Sequence, residues 1–141
     1  MTSWTEYFFG LCDINANKSK DPSTKVGAVI VRPDNTIASM GWNGFPRGVP
    51  DQYEDREHKL LRTVHAELNA ILNAREPLQG YTLYVSPLFP CSNCAAAIIQ
   101  AGIVCVNTRM GQPRDEWLKS FSAAQDMFRY ANVGFMIYPE K

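Results

Sequence analysis

VHAELNAILNA, residues 64–74, carries apolar residues at helical spacing, yet it opens on a histidine and a glutamate two positions apart. The spacing predicts a helix over about 64–75. A purely structural helix would be better served by a small polar cap, so the imidazole of His65 and the carboxylate of Glu67 ask for a chemical reason. Taken singly, each has a bland explanation: a histidine at a helix start is usually a cap or a surface residue, and a lone helical glutamate is usually solvated.

PCSNC, residues 90–94, supplies the reason. Pro90 ends whatever precedes it, and Cys91 and Cys94 flank the start of a second apolar helix, CAAAIIQA (94–101), stopped by Gly102 as its C′ residue. Free amides and partial positive charge at a helix N-terminus stabilise thiolates, and thiolates bind zinc. With His65 as a third ligand the set is His-Cys-Cys, which leaves a tetrahedral zinc one open position, the arrangement of a catalytic metal. A closed structural site would need a fourth ligand, and His58 is the only other histidine. Glu67 then sits where it can hydrogen-bond a water at the metal without ligating it, take its proton and deliver it elsewhere.

The remaining segments alternate around this pair of helices. Residues 3–16 read as a helix with Trp4, Tyr7, Phe8, Leu11 and Ile14 on its apolar face and a Ser3/Glu6 capping box. VGAVIV (26–31) and TIASMGW (36–42), joined by the turn residues RPDN, predict an antiparallel hairpin. Residues 43–62 begin rich in Gly and Pro, end charged, and read as one long loop. Strands are expected at YTLYVS (81–86), IVCVNT (103–108) and VGFMIYP (133–139), with a helix over 115–131. Helical connections between the last three strands make them parallel. The order α-β-β-α-β-α-β-α-β therefore predicts an α/β fold, a three-layer α/β/α sandwich with a five-stranded mixed sheet.

The chain has 141 residues, enough for a single domain over 1–141, and its 45% hydrophobic and 20% charged content is that of an ordinary soluble globular protein. Fourteen basic residues balance 14 acidic ones, which argues against a stable nucleic-acid partner, since such domains usually carry a basic excess. The N-terminal segment lacks a signal-peptide pattern and no apolar run approaches a membrane span, so a cytoplasmic location is expected, or the host cytoplasm for a viral protein. In a reducing compartment C-x-x-C reads as metal-binding or redox rather than as part of a disulfide framework. Cys12 and Cys105, in a helix and a strand, are expected to be buried thiols.

H-x-E followed by P-C-x-x-C is the recognised signature of zinc nucleobase deaminases. Together, SKDPSTKVGAVIV (19–31), GWNGFPRGV (41–49), HAELNAI (65–71) and PCSNCAAAIIQAGI (90–103) resemble the deoxycytidylate (dCMP) deaminases of the cytidine deaminase superfamily. The likeness runs from the first loop to the fourth strand; Trp42 stands where tyrosine is commoner. The resemblance implies zinc on His65, Cys91 and Cys94, and Glu67 as the proton shuttle in a hydrolysis that turns dCMP into dUMP and ammonia, supplying dUMP for thymidylate synthesis. It also implies that the Ala66 amide donates to the base carbonyl and that Asn43 touches the sugar, although Asn43-Gly44 is also a strong turn dipeptide. For the substrate phosphate Lys20 is the first candidate, with Ser19 beside it; Arg109 and Arg114 follow, and Trp117 either covers the base or packs on its own helix.

Such enzymes are commonly homohexamers, activated by dCTP with Mg2+ and inhibited by dTTP. Gly44, Phe45, Arg47 and Gly48 could supply amides and a guanidinium for an effector's phosphates, with Asn69 reading its base. Rival readings are a deaminase that also accepts dCTP, a free cytidine deaminase, a tRNA adenosine deaminase, an inactive nucleotide-binding regulator and a structural zinc protein. An RNA enzyme would want a basic surface, a regulator has no need of Glu67, and a structural zinc site would want a fourth ligand.

Overall fold

All five residues of β1 (Gly27–Val31) are buried, because the strand has a helical layer on each side. The computed structural model describes residues 1–140. Val29 and Val31 face α1 (Trp4–Ala16), where Phe8, Phe9 and Cys12 complete a small core. Ala28 and Ile30 face the opposite way, into the main core. β2 (Ile37–Trp42) and β3 (Thr82–Ser86) flank β1, both antiparallel to it. β4 (Cys105–Arg109) and β5 (Gly134–Tyr138) continue parallel to β3, giving the order β2-β1-β3-β4-β5. The mixed five-stranded sheet and its three layers follow the expected pattern, with α1 alone on one face. The other face carries α3 (Ala66–Asn73), α4 (Ser92–Gln100) and α5 (Asp115–Tyr130). Among the described residues no helix is long and apolar enough to cross a membrane.

Several boundaries differ from the expected ones. The segment 43–62 is not one loop: it contains a further helix, α2 (Arg56–Arg62), capped by Asp55, whose side chain accepts from Glu57 N–H at 3.1 Å. Its buried residue is Lys59, and Leu60 and Leu61 are exposed, so no apolar period announces it. The helix α3 starts at Ala66 with His65 as its N-cap, and α4 starts at Ser92 with Cys91 as its N-cap. Ile103 and Val104 follow the turn at Ala101–Gly102, where Gly102's φ of +85° fits its expected C′ role, and β4 starts two residues later than IVCVNT suggests. In α1 the Ser3 hydroxyl does accept from Glu6 N–H, but the inward face is Phe8, Phe9, Cys12 and Asn15. Trp4, Tyr7 and Ile14, expected inside, are exposed. Phe8 and Leu11 of the expected face do pack inward, but aromatic residues lie on both sides of this helix, so spacing alone does not fix where the buried stripe ends.

Two packing features set the positions of the helices that matter most. Phe89, fully buried just before Pro90, makes edge-on contacts with Phe121 (6.1 Å), Phe128 (5.9 Å) and Phe135 (5.6 Å), each worth about 0.5–1.5 kcal/mol beyond the area buried. This ring cluster anchors the segment that leads into Cys91. On the other side, α3 rides directly on β2: a Cβ at Gly41 would lie 2.5 Å from Ala70 N and 2.6 Å from Ala66 O. The side-chain amides of Asn69 and Asn73 then donate to Trp42 O (2.8 Å) and Met40 O (3.1 Å) on the outer edge of the same strand. Gly41→Ala is therefore expected to destabilise the protein by about 1–3 kcal/mol, read by urea unfolding. An unchanged midpoint would show that α3 can withdraw from the strand at no cost.

Candidate metal and catalytic site

The N-termini of α3 and α4 meet, and the N-cap residues of both are chemical. His65 Nδ1 lies 3.4 Å from Cys91 Sγ and 3.4 Å from Cys94 Sγ. The three ligand atoms lie within 4.8 Å of one another. Tetrahedral zinc with ordinary Zn–S and Zn–N bonds has ligand-to-ligand edges of about 3.6 Å, so one imidazole and two thiols at this spacing fit a zinc ion. Backbone geometry supports the donors: Cys94 N–H points to Cys91 Sγ at 3.5 Å, using an amide that a helix start leaves free.

The protonation pattern agrees with a soft-metal site. The neighbouring Cys94 thiol, outweighing the burial that opposes it, and then His65 pull Cys91 down to about 4, well below an ordinary thiol. Cys94 moves the opposite way, because it shares its proton with Cys91 and is buried. The hydrogen bond to Cys91 raises His65. Metal binding at such a site displaces protons. Glu67 is 4% exposed, and burial pushes its carboxyl up to about 7. A carboxyl near that value can both accept and return a proton around neutrality.

A cavity of ≈ 250 Å³ opens onto His65, Ala66, Glu67 and Cys91. The Ala66 N–H, at the first helical position, has no intrahelical acceptor and is free for a ligand. Asn43 also lines the cavity, buried, with its amide engaged: Oδ1 accepts from Val26 N–H and Nδ2 donates to Thr24 O, both at 2.9 Å. One Nδ2 hydrogen remains. Trp117 lines the cavity too, packed on Phe121 with the Arg114 guanidinium over its ring.

The expected phosphate residues fall differently. Ser19 and Lys20 do not line the cavity. Ser19 is buried, with its hydroxyl donating to Asn43 O at 2.8 Å, and the exposed Lys20 pairs with Asp51 at 2.7 Å. Arg109 is also elsewhere, paired with Asp13 and lying over Phe9. The cations on the cavity are Arg114, Arg56 and Lys59; the last two lie on α2, which was read as loop. Arg56 and Arg114 approach the same Glu116 oxygen, at 3.5 and 3.6 Å. Lys59 is buried against Asp21 at 3.1 Å. None of Gly44, Phe45, Arg47, Gly48 and Asn69 lines this cavity. Phe45 stacks on Tyr53 at 4.4 Å, and Gly44 exchanges two backbone hydrogen bonds with Val64, beside His65. The Asp55–Glu57 capping pair was the one sequence signal for α2; nothing in the sequence marked Lys59 as inward-facing.

Known proteins resemble this chain along most of its length. Residues 2–110 match the family model described as the cytidine and deoxycytidylate deaminase zinc-binding region. An uncharacterised deaminase of Aliivibrio fischeri is 44% identical over 137 residues, covering 94% of this chain and 92% of the relative. Deoxycytidylate deaminase of Mus musculus is 40% identical over 147 residues, covering 98% and 81%. The crystal structure of dCMP deaminase from the cyanophage S-TIM5, in complex with dCMP and dUMP, superposes with a TM-score of 0.80 at 25% identity, covering 94% of each chain.

Metal analysis after dialysis tests the ligand set. Wild type is expected to retain one zinc per chain, Cys94→Ala and His65→Ala far less, and Glu67→Gln as much as wild type. Full zinc retention by Cys94→Ala would remove that residue from the set.

Proposed function

The chain belongs to the cytidine and deoxycytidylate deaminase family, and from that membership we propose that it hydrolyses dCMP to dUMP and ammonia. The observation that carries this reading is one cavity that joins a His-Cys-Cys zinc site and a buried Glu67 to two rim arginines. Zinc bound by His65, Cys91 and Cys94 would supply a water whose pKa is lowered to about 7. In the hydrolysis the water oxygen becomes bonded to carbon 4 and the carbon 4–amine bond breaks; Glu67 would move both protons of the water, the first to ring nitrogen 3 and the second to the amine, which leaves as ammonia. The Ala66 amide holds the base carbonyl and fixes the ring, while Asn43 offers its remaining N–H to the sugar. Arg56 and Arg114 hold the phosphate, as their shared approach to a single carboxylate oxygen of Glu116 suggests.

The finer parts of the proposal are activation by dCTP with Mg2+, inhibition by dTTP and a homohexamer, in a reducing cytoplasm that keeps the zinc thiols free. An effector site on 44–48 is supported by exposed Arg47 and by Gly48 at φ +84°, and the Gly44–Val64 backbone pair links that segment to His65. Subunit contact is supported by the exposed Trp4, Tyr7 and Ile14 on α1. Regulation would require the two triphosphates to prefer different conformations of the 44–48 segment.

Ammonia release from zinc-loaded protein given dCMP is the direct assay. Glu67→Gln is expected to lower kcat by about 10²–10⁴-fold with zinc retained. Arg56→Ala and Arg114→Ala should each lower kcat/KM for dCMP by about 10–100-fold, with little effect on deoxycytidine. Absence of dCMP turnover by folded, zinc-loaded wild type would refute the substrate assignment.

A further inference from the structure

Asp21 lines the same cavity as Glu67 and is 5% exposed. Its two oxygens are used very unequally. Oδ1 accepts from Ser23 N–H at 2.8 Å, from Thr24 N–H at 3.1 Å and from the buried Lys59 ammonium at 3.1 Å. Oδ2 accepts no hydrogen bond among the described residues, yet it is not one of the buried polar atoms sealed from solvent without a partner. The open space beside Asp21 is the cavity, and a ligand that displaces water from this oxygen must supply a donor in its place or leave it unpaired.

The surroundings restrict what this oxygen can bind. Lys59 already balances the charge of Asp21, so the oxygen does not require a cation. A phosphate would be repelled by the carboxylate and has Arg56 and Arg114 at the rim. The complementary group is a neutral donor, an alcohol. On the deaminase reading, on which this inference rests, the deoxynucleotide carries one hydroxyl on its sugar, at the 3′ position. We propose that Asp21 is a specificity-determining residue whose free carboxylate oxygen accepts a hydrogen bond from the substrate's 3′-hydroxyl. Asn43 complements it: its amide bonds to Thr24 and Val26 brace the turn that carries Asp21, and its remaining N–H is a donor toward the sugar. Lys59 is a positioning residue. It fixes the carboxylate from α2, whose leucines stay outside the core, and so ties that helix to the sugar-binding wall.

The test crosses enzyme with substrate: wild type and Asp21→Asn, each given dCMP and 2′,3′-dideoxy-CMP. Wild type is expected to lose about 10–100-fold in kcat/KM when the hydroxyl is absent, the range for a hydrogen bond to a charged group. Asp21→Asn should lose a similar factor on dCMP and then treat the two substrates alike within about threefold. Calorimetric binding of dUMP against 2′,3′-dideoxy-UMP repeats the comparison without turnover. If Asp21→Asn does not fold, the Asp21→Asn/Lys59→Met pair, which removes both charges together, carries the same measurement. The proposal is overturned if wild type ignores the hydroxyl, or if the variant loses one common factor on both substrates, as a purely structural role would give. Those outcomes leave the deaminase assignment standing; no turnover of dCMP by wild type would remove both.

Discussion

The approach of His65 Nδ1 to the two cysteine sulfurs is the contact that the rest of the structure is arranged to make. It requires two helices to begin at the same place, with their N-termini pointing at one another's caps. Two like helix ends repel through their partial positive charges, and a thiolate between them relieves that repulsion. The sheet brings the ends together: Gly41 lets α3 lie on β2, and the Phe89 ring cluster fixes the entry to α4. Polar chemistry at the site thus rests on apolar packing on either side of it.

The cavity has a graded polarity. Glu67, Asn43, Asp21 and Lys59 are all under a tenth exposed, whereas the side chains of Arg56 and Arg114 are more than half exposed. Buried groups of this kind discriminate strongly, because a ligand that fails to pair with them leaves a desolvated charge or dipole behind. The more exposed arginines, screened by water and salt, would attract a phosphate in a salt-dependent way. On the proposed reading, recognition of base and sugar would be kept separate from attraction of the phosphate.

How much of this was legible in the sequence follows from the same physics. His65, Glu67, Cys91 and Cys94 stand out because their side-chain chemistry is unusual for the mouths of apolar helices. The five strands and the mixed character of the sheet were readable because β-branched runs alternate with helical periods; the strand order β2-β1-β3-β4-β5 came only with the structure. By contrast, α2 turns a lysine inward to meet an aspartate across a cavity, and such a face has no apolar period. The aromatic residues on both sides of α1 led to exposed Trp4, Tyr7 and Ile14 being read together with inward Phe8 and Leu11 as one face. Lys20, the most visible cation of the first loop, is bound to Asp51, while the cations at the cavity come from elements remote in the chain. Local pattern identifies chemistry; it does not say which of several like charges the fold carries inward.

One detail of the sheet bears on how copies of this chain can meet. β2 is an edge strand, and an edge strand normally offers its outward carbonyls to any extended segment that arrives. Here Met40 O and Trp42 O are already occupied by the side-chain amides of Asn73 and Asn69. Two of the acceptors that a further strand would need on this side are therefore already taken. An extended segment arriving at this edge would first have to displace those two side-chain amides from the carbonyls they hold.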